Sequence, residues 1–116
     1  MIKVAVYGTL REGFPNHALL HKSTLIGEAT VPGRMHDLGP FPAVCLHEKG
    51  TVKVELYEVD EETLELLDRL EGHPTLYQRV DVMTSEGPAF MYVMSEDELL
   101  DSPSIPSGDW ADKKAA

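Results

Sequence analysis

The sequence predicts an α+β fold: a small, mostly antiparallel, partly closed β-barrel with about two helices. Three observations carry that prediction. About seven short stretches are apolar or alternate between apolar and polar residues, as strands do. Only two stretches have helical character, too few to supply the crossovers of a parallel βαβ sheet. Glycines and prolines (Gly27, Pro32, Gly33, Gly39, Pro40, Pro42) divide the first half into short pieces, which suits strands joined by turns.

In chain order, the apolar run Ile2 to Tyr7 contains β-branched Val4 and Val6 and stops at Gly8, as a buried strand ending in a turn would. A loop, Arg11-Glu12-Gly13-Phe14-Pro15, follows. Asn16 is placed to cap a short helix over about His17 to Lys22. Short strands are expected near Leu25–Thr30, Arg34–Leu38 and Ala43–Leu46. Thr51 to Val59 alternates, with Val52, Val54 and Leu56 on one face and Lys53, Glu55 and Tyr57 on the other. Asp60 starts the clearest helix. It is a good N-cap, Glu61 and Glu62 suit the positive first turn, and Leu64, Leu67 and Leu70 recur on one side. Gly72 ends it and Pro74 prevents resumption. Tyr77–Thr84 and Ala89–Met94 read as a hairpin about Ser85-Glu86-Gly87-Pro88.

A chain of 116 residues with 42% hydrophobic content suits one domain with a modest core. Residues 1–95 are expected to hold the folded domain. Residues 96–116 turn acidic and then Pro/Ser-rich, and are expected as a loosely packed tail on or trailing from it, pinned if anywhere by Ile105 and Trp110. Twenty acidic residues against ten basic ones give a formal charge of −10, which argues against nucleic acid and against an anionic membrane surface as partners. No apolar run approaches the ~20 residues that cross a bilayer. Cys45 stands alone in an apolar setting, a packed side chain rather than a nucleophile. With no signal-peptide pattern at the N-terminus, a cytoplasmic location is expected.

Two stretches carry candidate chemistry. After a strand, the successive amides of Gly8-Thr9-Leu10 can converge on an anion, with Tyr7 at the rim; an ordinary strand-end turn is the other reading. Glu71 falls at the C-terminal end of the Asp60 helix, where the dipole disfavours a carboxylate by ~0.3–1 kcal/mol. Burial would act in the same direction, giving the raised pKa that a general base needs near neutrality. The alternative is a solvated glutamate. The five histidines complete no recognised metal pattern, so no metal site is expected. Ser95 and Ser107 lack a nucleophile-elbow context.

Tyr7-Gly8-Thr9-Leu10-Arg11, Pro15-Asn16-His17, Gly50 to Asp60, Leu67-Asp68-x-x-Glu71-Gly72-x-Pro74-x-x-Tyr77-x-Arg79 and Ile105-x-Ser107-Gly108-Asp109-Trp110 together resemble the γ-glutamylcyclotransferase-like family, most closely its γ-glutamylamine cyclotransferase (AIG2-like) branch. The resemblance covers nearly the whole chain in order. It implies a compact barrel-like α+β domain and a small-molecule γ-glutamyl substrate, converted without cofactor to 5-oxoproline and a free amine. It implies that Tyr7, Gly8, Thr9 and Leu10 hold the glutamyl group and that Glu71 is the catalytic acid/base; Tyr77 and Arg79 are candidates to line the pocket. The alternative is a non-catalytic protein of the same fold that binds a small anionic metabolite. A third reading, a structural or partner-binding domain, rests on the acidic helix and the apolar tail residues; an exposed Trp110 in a homodimer contact would favour it.

Overall fold

The computed structural model describes residues 2–115. Strands β1 (Ile2–Val6), β2 (Thr24–Pro32), β3 (Arg34–Asp37), β4 (Pro42–Cys45), β5 (Thr51–Val59), β6 (Gln78–Thr84), β7 (Gly87–Val93) and β8 (Ser104–Ile105) accompany helices α1 (Glu61–Glu71) and α2 (Trp110–Ala115). His17–Leu20 and Asp97–Leu99 are short 3₁₀ turns. The first of these stands where a short helix was expected.

Five strands form one sheet in the order β2-β5-β1-β7-β6, and a second, smaller sheet has the order β4-β3-β8. Every pairing is antiparallel except β1 with β7. The mixed α+β class is therefore as expected; the strands form two sheets, and the larger one is not closed into a barrel. Edge strands β2 and β6 do approach each other, where the Ser85 N–H donates to Thr30 O (3.0 Å) and the Thr30 N–H to Ser85 Oγ (3.0 Å). No ladder joins them.

The centre of the large sheet is buried on both faces. Val4, Val6, Tyr57, Val59 and Tyr92 pack with Leu64 and Leu67 of α1 on one side. Ala5, Val54, Leu56, Met91 and Val93 pack with Met35 and Trp110 on the other. From Val54 to Tyr57 alternation along β5 thus separates two cores, whereas Thr51 and Lys53 before them face solvent. The tail is not loose: β8 pairs with β3, Gly108 O accepts the Lys53 N–H at 2.8 Å, and Trp110 is 5% exposed. A Cβ on Gly108 would stand 1.8 Å from Thr51 O, so glycine is required for that approach. Trp110 packs within its own core, so it supplies no exposed surface in favour of a homodimer contact. Among the described residues, no helix is long and apolar enough to cross a membrane.

Candidate active site

Helix α1 sets the position of Glu71. Asp60 caps it by accepting the Thr63 N–H at 2.7 Å, and Gly72 ends it in the left-handed conformation, φ 66° and ψ 34°. The chain then folds back: the Thr75 and Leu76 N–H groups donate to Gly72 O at 2.8 Å, and the Tyr77 N–H to Glu71 O at 3.2 Å. Tyr77 therefore returns beside Glu71.

Opposite it, the chain leaving β1 turns at Gly8. The Arg11 N–H donates to Gly8 O (3.1 Å) and the Asn16 N–H to Thr9 O (2.9 Å). Asn16 was expected to cap a helix, but its side chain makes no capping bond and donates to Thr9 Oγ1 at 2.9 Å instead. His17 Nδ1 donates to Leu10 O at 3.0 Å. These bonds occupy the loop's carbonyls and side chains. Among the described residues, the amides of Gly8, Thr9 and Leu10 donate to no protein acceptor. Gly8 does not have a positive φ. Its requirement is space, because a Cβ there would lie 2.7 Å and 2.8 Å from the ring of Pro42.

Both segments line one cavity of about 400 Å³, together with Pro40, Phe41 and Pro42 ahead of and into β4, Leu70, Leu76, Tyr77 and Tyr92. The tyrosine hydroxyls in it are engaged: Tyr7 donates to Tyr92 O (2.6 Å), Tyr77 to Pro42 O (2.7 Å) and Tyr92 to Asp68 Oδ1 (2.6 Å). Burial holds all three hydroxyls well above their ordinary pKa. The Glu71 carboxyl has no hydrogen-bond or ion-pair partner among the described residues. Burial alone pushes its pKa up to about 7.

Of the residues singled out in the sequence, Tyr7, Gly8, Thr9, Leu10, Glu71 and Tyr77 line the cavity. Arg79 does not. Its guanidinium pairs with Asp68 at 2.5 Å and lies 4.9 Å over the Phe90 ring, while its N–H donates to His73 Nδ1. Through Asp68 it braces Tyr92, which does line the cavity. Tyr92 and Pro42 carried no separable signal in the sequence, since Tyr92 read as an ordinary strand residue and Pro42 as a break between strands. Asn16 had one, the Pro15-Asn16-His17 triplet, but not its role.

The family model described as "Gamma-glutamyl cyclotransferase, AIG2-like" matches residues 4–112. A Vibrio cholerae protein provisionally named a gamma-glutamylcyclotransferase is 42% identical over 112 residues, covering 95% of this chain and 96% of that one. Cattle gamma-glutamylaminecyclotransferase is 40% identical over 88 residues, covering 66% of this chain and 52% of that protein. The crystal structure of an uncharacterized protein from Pyrococcus horikoshii is similar with a TM-score of 0.84 at 34% identity, covering 99% of this chain and 94% of that one.

Proposed function

The chain belongs to the AIG2-like gamma-glutamyl cyclotransferase family, and from that premise we propose that it is a γ-glutamylamine-type cyclotransferase with Glu71 as general acid and base. One observation carries the reading: an unpartnered carboxyl poised near neutrality lines the same cavity as three consecutive unpaired amides.

The amides of Gly8, Thr9 and Leu10 hold the substrate's α-carboxylate, for which the cavity offers no arginine or lysine. Glu71, as carboxylate, takes a proton from the α-ammonium. The freed amine attacks the γ-carbonyl carbon, a five-membered ring closes, and the bond to the departing nitrogen breaks. Two protons leave the α-nitrogen and two arrive on the departing amine. Glu71 carries them and ends as the carboxylate it began. With a pKa of about 7, both of its forms are populated at neutral pH, which suits a group that must accept and then donate. The cavity folds the substrate so that amine and carbonyl meet. The scheme draws on no metal or organic cofactor, and a cytoplasmic location is proposed with it.

Incubation with γ-glutamyl amides should release 5-oxoproline and the free amine in equal amounts. Binding of such amides with no 5-oxoproline from any of them would replace catalysis by metabolite binding.

A further inference from the structure

The cavity is graded from dry to open. Leu10, Tyr77 and Tyr92 at its inner end are at most 4% exposed, whereas Phe41, Leu70 and Leu76 are 37%, 40% and 48% exposed and line the same space. These three come from separate segments: the loop before β4, the last turn of α1 and the return after Gly72. They are therefore not the apolar stripe of a single helix. Of the lining residues only Glu71 can carry charge near neutrality. In the cyclisation, the departing nitrogen must lie within reach of Glu71. Whatever that nitrogen carries then extends outward past Leu70, the residue before Glu71, while the glutamyl head occupies the inner end.

We propose that this mouth is a leaving-group subsite for apolar amines, so that the preferred substrates are γ-glutamyl amides of uncharged aliphatic or aromatic monoamines; the assignment rests on the cyclotransferase reading above. A departing amino acid would bring a carboxylate, and a departing lysine side chain an ammonium as well, against a wall that offers neither a partner. Contact with that wall displaces part of their hydration without compensation, which is unfavourable. An alkyl or aryl group instead covers Phe41, Leu70 and Leu76 and removes their apolar surface from water.

The test compares γ-glutamylphenethylamide, γ-glutamyl-ε-lysine and γ-glutamylglycine by 5-oxoproline release, with calorimetric binding of the same three compounds to the full chain. The phenethylamide is expected to have a kcat/KM at least tenfold above the other two. Leu76→Ser and Phe41→Ser, at exposed positions, are expected to narrow that ratio at least threefold through KM; either variant that stays folded suffices. Turnover of all three at similar rates, or a preference for a charged leaving group, overturns the apolar subsite and leaves the cyclotransferase reading standing. No turnover of any, with the phenethylamide still bound tenfold more tightly, overturns the cyclotransferase reading and keeps the subsite. No turnover and no binding preference overturns both.

Discussion

Glu55 and Glu71 are both withdrawn from solvent, yet the fold treats them in opposite ways. Glu55 is 8% exposed and surrounded by donors. Arg11 Nε lies at 3.3 Å, the Glu12 N–H at 2.9 Å and the Tyr57 hydroxyl at 3.0 Å. Arg11 in turn reaches Asp109 at 2.7 Å, so this network ties the loop after Leu10 to β5 and to the C-terminal segment. Glu71 faces the same loop from across the cavity with no donor of its own. A carboxylate with several donors holds structure in place; one without them keeps its proton chemistry. Burial is common to both, and the difference lies in what surrounds the charge.

Removing each carboxyl should separate these roles. Glu71→Gln is expected to lower 5-oxoproline formation by ~10²–10⁴-fold, the usual size of a general acid–base contribution, with an unchanged fold by circular dichroism. The pH dependence belongs to the same group: wild-type kcat/KM should rise with pH through about 7, because the carboxylate is the form that takes the first proton. A profile flat from pH 5 to 9 would remove Glu71 from that role.

Glu55→Ala should act on stability instead. It leaves Arg11, the Glu12 N–H and the Tyr57 hydroxyl short of an acceptor in a buried setting. Breaking a buried pair on one side costs about 3–5 kcal/mol, and the remaining Asp109 contact places the expected loss at the lower end. Urea denaturation measures it. A loss below about 1 kcal/mol would mean that the network is not what fixes the loop.

The next effect in size is again on Glu71, and its sign is opposite. The folded pKa is raised from 4.5 to about 7, so the native state binds a proton more tightly than the unfolded chain. Stability therefore falls as pH rises from 4.5 through 7, and the cost is fully present above 7. At about 1.4 kcal/mol for each pH unit, with allowance for the solvent that still reaches this group, the cost is on the order of 2–3 kcal/mol. Glu71→Gln should thus be more stable than wild type at pH 8 and equal to it at pH 4.5 in thermal melts. Catalysis and stability would be opposed at one side chain, as strained functional groups often require.

What could be read from the sequence was local. The Asp60 cap, the Gly72 stop and the leucine spacing defined α1 and put Glu71 at its end, because each signal acts within a turn or two of itself. The unpaired amides after β1 could be expected because a strand cannot continue through the turn at Gly8. The extent of Glu71's burial could not, since it depends on how segments far apart in the chain close around one cavity. Arg79 is a pocket candidate only through the family resemblance; its capture by Asp68 depends on how β6 lies against α1. The C-terminal segment misled by composition. Its polar residues suggested a loose tail, whereas the close approach of Gly108 to Thr51 and the Arg11–Asp109 pair fasten it to the sheet. That the large sheet stays open was equally hidden, because alternation says which face is buried and not which edges pair.

The finest discrimination concerns the loop itself. If its amides are held in place for an anion, then bonds that fix the loop without touching substrate should matter to binding. Asn16 Nδ2 donates to Thr9 Oγ1 at 2.9 Å, while the Asn16 N–H to Thr9 O bond survives any side-chain change. Asn16→Ala therefore removes one neutral hydrogen bond, worth about 1 kcal/mol. The loss should fall on ground state and transition state alike, raising KM about fivefold with kcat nearly unchanged. Thr9→Val removes the same bond from the other side, so the double variant should be no worse than either single one, a coupling of about 1 kcal/mol. Additive losses would mean that Asn16 and Thr9 each meet the substrate directly. A fall in kcat with KM unchanged would move the loop out of binding and into the proton chemistry proposed for Glu71.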